Sequence, residues 1–161
     1  MRVGSGFDVH AFGPGDSVVL GGVRVPHNRG VVAHSDGDVL LHALVDAMLG
    51  AAALGDIGQH FPDSDPQWRG ADSSRFLVAA VQMLARRGQR VVNVDLTLLA
   101  QSPRISVWRD QIRSSIALKL GISESDVNLK ATTTEHLGFI GRAEGLAAMA
   151  TVLIDGDAAT P

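Results

Sequence analysis

The chain has 161 residues, enough for one domain to bury a full core without disulfides or a structural metal, so any metal here is functional. It has no cysteine, which excludes thiolate zinc sites and disulfide frameworks and accords with a reducing, cytoplasmic compartment. With a net charge of -3 and no Lys/Arg run interleaved with aromatics, nucleic acid is not an expected partner. No apolar run reaches the roughly 18 residues of a membrane span, and the first residues do not read as a signal peptide.

In chain order, residues 2 to 10 read as a strand leading into a loop at Gly13-Pro14-Gly15-Asp16. Val18 to Leu20 and Val23 to Val25 form a hairpin, because the intervening Gly21-Gly22 supplies the positive φ of a tight turn. From Asp38 to about Leu54, Leu40, Leu41, Leu44, Val45, Met48 and Leu49 recur at helical spacing. The stretch 55 to 72 has no period of its own and reads as a long functional loop. A second helix is expected from about Ser73 to Arg87, with Gly88 as its stop. Val92, Val94, Leu96 and Leu98 then alternate with Asn93, Asp95 and Thr97, the clearest strand of the sequence. A third helix follows from about Val107 to Leu120, stopped by Gly121, and a strand from Val127 to Thr133. Gly145 to Ile154 suits helix by its Ala and Met content but strand by its Thr-Val-Leu-Ile ending, and is taken as strand.

These elements predict one α/β (α+β) domain over residues 1–156 with a frayed tail at 157–161. Its core would be a mixed, roughly four-stranded sheet plus a small hairpin, with helices packed on one face. Three helices cannot cover both faces, so self-association is expected.

Asp8 and His10 on one strand face stand about 7 Å apart, near enough to share a small cation. If Asp38 opens a helix, His42 lies near its N-terminal end and makes a third ligand. Two His and one carboxylate suit zinc with an open fourth position. The plain alternative is a half-exposed strand edge with polar residues outward. His34 and Ser35 combine a helix-capping reading, through Ser35 or Asp36, with an anion-binding one at a helix N-terminus. Asp36 and Asp38 read as caps and loop partners rather than catalysts.

The segments Asp56-Ile57-Gly58 and Phe61-Pro62-Asp63-Ser64-Asp65 read as turn chemistry or as a loop holding a small polyol. Thr132 and Glu135 fit a capping box, against a second reading in which the Thr132-Thr133-Thr134 hydroxyls bind phosphate and Glu135 coordinates magnesium. Arg142 is a phosphate clamp or a salt-bridge partner of Glu144.

Five blocks occur in order: Gly-Phe-Asp-Val-His at 6–10, Ala-His-Ser-Asp-Gly-Asp at 33–38, Leu-Gly-Asp-Ile-Gly at 54–58, Phe-Pro-Asp-Ser-Asp at 61–65 and Lys-Ala-Thr-Thr-Thr-Glu at 130–135. With Leu-Gly-Phe at 137–139 and Gly-Arg at 141–142, the chain resembles the 2-C-methyl-D-erythritol 2,4-cyclodiphosphate synthases of the non-mevalonate isoprenoid pathway over nearly its whole length.

The resemblance implies a homotrimer with sheets facing inward and an active site between adjacent subunits. It implies zinc on Asp8, His10 and His42, with magnesium or manganese near Glu135 bridging the diphosphate. The substrate would be 4-diphosphocytidyl-2-C-methyl-D-erythritol 2-phosphate, whose 2-phosphate attacks the β-phosphate and expels CMP.

By the same likeness, His34 and Thr133 stabilise transition-state charge. Asp8, Val9, His10, His34, Ser35 and His42 contact the substrate, and Asp56, Ile57, Gly58, Phe61, Pro62, Asp63, Ser64 and Asp65 hold its methylerythritol part. Ala100, Gln101, Ser102, Pro103, Arg104, Ile105 and Ser106 cradle the cytidine with Thr132, Thr133, Thr134 and Glu135 of a neighbouring subunit. Phe139 and Arg142 border the phosphates or a central cavity near Phe7 and Glu144 that can hold an isoprenoid diphosphate. Ser102, Arg104 and His136 depart from the family's commoner Ala, Lys and Lys. Two other classes of function compete with this reading: a zinc phosphohydrolase, and a binding module whose metal is structural.

Overall fold

The computed structural model describes residues 1–156; the tail expected at 157–161 lies outside them. The described residues form seven strands and five helices: β1 (Arg2–Gly13), β2 (Ser17–Leu20), β3 (Val23–Pro26), β4 (Gly30–Val31), α1 (Val39–Ala51), α2 (Ile57–His60), α3 (Ser74–Arg86), β5 (Arg90–Leu99), α4 (Arg109–Leu120), β6 (Val127–Thr132), α5 (Gly138–Gly141) and β7 (Gly145–Asp155). The main sheet runs β4-β1-β7-β5-β6, with β5 and β6 parallel and every other pair antiparallel, while β2 and β3 form a separate ribbon. The sheet therefore has five strands, the extra one being the two-residue β4, too short to leave a period in the sequence. No helix of the described residues is long and apolar enough to cross a membrane.

Helices cover one face only, as the helix count implied. On that face β1 presents Gly4, Gly6, Asp8 and His10, and α1 lies against the two glycines. A Cβ on Gly4 would stand 2.1 Å from the Ala47 carbonyl oxygen, and one on Gly6 2.0 Å from that of Ala43. The missing side chains let α1 touch the strand backbone, and α1 is buried almost all round, between the sheet and α3. The opposite sheet face leaves Val3, Phe7, Val9 and Met149 exposed.

Three local readings are corrected. Of the residues read as caps, Asp38 caps α1 and Ser35 and Asp36 do not: the Asp38 carboxylate accepts from Leu41 N at 3.1 Å, and also from Gly21 N at 2.9 Å and Gly22 N at 2.6 Å in the β2–β3 turn. Both turn glycines have positive φ, as the hairpin reading required. Val92 is not on the core face of β5; a register irregularity between Val91 and Asn93 puts Val91 inside instead. The loop at 55–72 contains α2 and a 3-10 turn at Pro66–Trp68, both too short to show periodicity.

Burial pushes the Asp38 carboxyl up to about 6 from 3.8, against the lowering effect of its three backbone N–H donors. An acid held more tightly protonated in the folded chain withdraws stability as pH rises from its unfolded value through its folded one. Urea midpoints measured from pH 4 to pH 7 are accordingly expected to move in favour of Asp38→Asn, relative to the parent, as pH rises.

Candidate metal centre and substrate cavities

The face of β1 that receives α1 continues past Gly6 to Asp8 and His10, and His42 lies in the first turn of α1 directly above them. Asp8 Oδ2 is 3.0 Å from His10 Nε2 and 3.1 Å from His42 Nδ1, and the two ring nitrogens are 3.1 Å apart. One donor atom from each residue lies within 4.8 Å of the others. Burial works to raise the Asp8 carboxyl, but hydrogen bonds and charge from His10 and His42 outweigh it and hold the group well below the usual carboxylate range. A carboxylate and two imidazoles converging on one point, half-buried, fit a divalent ion of borderline softness with room for a further ligand.

The triad opens into a cavity of about 480 Å³ that also receives His34, Ser35, Ile57, Gly58, Phe61, Pro62 and Asp63. Ile57 N donates to Asp46 Oδ1 of α1 at 2.8 Å, which anchors α2 at the cavity edge. The His34 Nε2 atom is buried and has no hydrogen-bond partner among the described residues. Four further lining residues, Val32, Ala33, Trp68 and Phe76, carry no polar motif and escaped sequence reasoning. Phe61, Trp68 and Phe76 stack within 5.3 Å of one another to form an aromatic wall, and the Phe76 ring lies 5.8 Å from that of His42. Several residues expected at the site stand elsewhere on this chain. Val9 faces the exposed side of the sheet, Asp56 caps α2, Asp65 caps the 3-10 turn, and Ser64 lies outside the cavity lining.

A second cavity, about 760 Å³, lies at the ends of β5 and β6. It gathers Ala100, Gln101, Pro103, Arg104, Ile105 and Ser106 with Thr132, Thr133 and Glu135, and adds Arg109 and His136. Ser102 turns away to His27 Nε2 at 3.0 Å, and Thr134 Oγ1 donates to Leu137 O. No capping box forms, because no helix starts at Thr132; Thr133 Oγ1 donates instead to Glu135 Oε1 at 2.9 Å. Glu135 and His136 both take left-handed φ, of 51° and 64°, a costly backbone for residues with a Cβ. Arg142 pairs with Glu144 at 2.8 Å, and Phe139 stands partly exposed nearby, away from both cavities.

Among the described residues, none lines both cavities. His34 lies in one and Thr133 in the other, so a single chain does not bring them together.

Comparison with known proteins places the chain among relatives of one kind. It is 58% identical over 154 residues to 2-C-methyl-D-erythritol 2,4-cyclodiphosphate synthase of Pseudomonas aeruginosa (strain UCBPP-PA14), covering 96% of this chain and 98% of the relative. Its structure matches a CDP complex of IspF from Plasmodium falciparum with a TM-score of 0.85 and 35% identity, over 97% of this chain and 96% of that one. It also matches the bifunctional IspDF of Campylobacter jejuni with a TM-score of 0.91 and 45% identity over 95% of this chain, while spanning only 42% of that longer protein. Residues 1–155 match the model of the YgbB family, and the chain belongs to that family.

Proposed function

We propose that this protein converts 4-diphosphocytidyl-2-C-methyl-D-erythritol 2-phosphate to 2-C-methyl-D-erythritol 2,4-cyclodiphosphate and CMP, in isoprenoid precursor biosynthesis in the cytoplasm. The observation that carries the reading is the convergence of Asp8, His10 and His42 at the mouth of a cavity, in a chain of this family. An oxygen of the 2-phosphate bonds to the β-phosphorus while the bond from that phosphorus to the CMP oxygen breaks. Such a transfer is governed by positioning and charge neutralisation.

Zinc held by Asp8, His10 and His42, with magnesium or manganese beside Glu135, supplies Lewis-acid polarisation and neutralises diphosphate charge when bound. The chain's own groups do the rest. His34 and the Thr133 hydroxyl, from opposite cavities, stabilise the charge that develops on the transferring phosphoryl oxygens. The Ile57 and Gly58 backbone and Asp63 hold the polyol hydroxyls, and the aromatic wall of Phe61, Trp68 and Phe76 excludes water. The segment from Ala100 to Ser106, with Thr132, cradles the cytidine.

A complete site needs the first cavity of one chain and the second of a neighbour, in a homotrimer. Two features support this reading: the separation of the cavities, and the exposed apolar sheet face of Val3, Phe7, Val9 and Met149. That face would close around a central channel where Phe7, Phe139, Arg142 and Glu144 border room for an isoprenoid diphosphate. Light scattering is expected to give three times the 16.9 kDa chain mass.

Phosphorus NMR on the protein with substrate, zinc and magnesium is expected to show CMP and a cyclic diphosphate, both lost on chelator treatment. Linear hydrolysis products would replace this reading with a phosphohydrolase, and binding without turnover would replace it with a binding module.

A further inference from the structure

His42 turns one nitrogen to Asp8 and His10 and the other inward. Its Nε2 lies 2.8 Å from the Ser73 hydroxyl and 3.2 Å from that of Ser35. Ser73 immediately precedes α3 and is fully buried. Its hydroxyl lies in short contact with Asp36 Oδ1, and its backbone N–H donates to Asp36 Oδ2 at 3.1 Å. Asp36 Oδ1 also accepts from Asp38 N at 3.3 Å.

The direction of this chain of hydrogen bonds follows from which groups can donate. A carboxylate only accepts, so the single Ser73 proton points at Asp36. The Ser73 oxygen is then free to accept from His42 Nε2–H, and a metal ion taken up on Nδ1 requires the ring proton to stand there. Nδ1 is the atom that faces Asp8 Oδ2 and His10 Nε2. The Ser35 hydroxyl, which accepts from Gly37 N at 3.2 Å, lies farther from Nε2 than that of Ser73 does.

We propose that Ser73 and Asp36 form a relay that locks His42 in the Nε2–H tautomer and presents Nδ1 as the metal-ligating atom. They are positioning residues, acting through His42 and touching neither metal nor substrate. Such partners orient the ring and raise its basicity, and losing one costs about 10- to 100-fold in metal affinity. In sequence the two stand 37 residues apart, one on the approach to α1 and one on the approach to α3, so only the packing of those helices joins them. The inference rests on the reading of His42 as a metal ligand.

Two measurements test it. In the zinc-loaded protein, nitrogen NMR of labelled histidine is expected to show His42 ligated through Nδ1 and protonated on Nε2. An Nδ1–H tautomer overturns the proposal, and because the parent protein is used this outcome does not depend on a variant folding. Competition with a chromophoric zinc chelator is then expected to show Ser73→Ala and Asp36→Asn each weakening zinc by about 10-fold or more. Asp36→Asn keeps the shape but cannot accept from both the Ser73 hydroxyl and the Ser73 backbone, so it strains the relay without opening a hole. Folded variants that bind zinc as the parent does would overturn the relay while His42→Ala still loses the metal. If His42→Ala itself keeps the parent's zinc affinity, the metal reading fails instead.

Discussion

Replacing His42 with alanine is expected to abolish zinc binding and reduce turnover by on the order of 10³-fold, the rate equivalent of losing several kcal/mol of charge stabilisation. The residue supplies one of three donors, and the two that remain, Asp8 and His10, sit on one strand with no third group among the described residues close enough to replace it. Asp8 would also lose one of the two imidazoles that hold its carboxyl low, so its proton affinity rises and its value as a ligand falls with it. The fold should survive. The His42 side chain is mostly buried but lines the open cavity, and α1 keeps its contacts with β1 through Ala43 and Ala47. The trimer proposed above uses the opposite sheet face and is expected to remain. Zinc stoichiometry by atomic absorption, CMP release and light scattering on the purified variant check all three parts. Full activity with this substitution would sink the metal assignment.

Gly6→Ala is expected to damage stability and the metal centre together. The added Cβ would lie 2.0 Å from the Ala43 carbonyl oxygen and 2.8 Å from Ala47 N, both backbone atoms of a buried helix that cannot rotate aside. Either α1 lifts off β1 or the strand bends, at the upper end of the roughly 1–3 kcal/mol that overpacking costs, or beyond it. Ala43 follows His42 directly, so any such displacement also carries Nδ1 away from Asp8 and His10. Gly4→Ala provides the comparison: its clash, 2.1 Å from Ala47 O, falls more than a turn farther along α1. The two variants should therefore lose similar stability in urea unfolding, while Gly6→Ala loses more zinc affinity. A Gly6→Ala protein as stable as the parent would show that α1 does not depend on this close approach.

The elements with a strong period were legible in the sequence. The apolar runs of α1 and α3 placed both helices to within a few residues, and the Gly21-Gly22 pair marked a hairpin whose two positive φ angles the fold contains. The metal-candidate residues were legible too, because His and Asp at strand and helix spacing are recognisable by type and offset alone. Elements decided by partners were not. The irregularity that exchanges Val92 for Val91 exists only against β7, and β4 is a strand only because β1 lies beside it.

Amino-acid order by itself determined that β1 would carry Asp8 and His10 on one face and that a helix beginning near Asp38 would carry His42; both follow from local periodicity. Only the tertiary structure decided that this helix lies on this strand, and the reason is steric, since Gly4 and Gly6 leave the space the α1 backbone fills. The same packing chose among three similar residues at the start of α1. Asp38 became the cap because the β2–β3 turn delivers two more N–H donors to it, while Asp36 and Ser35 were left for Ser73 and His42. The separation of the two cavities is likewise a property of the whole sheet: His34 and Thr133 lie on different cavity walls, a distance that no spacing in the sequence encodes.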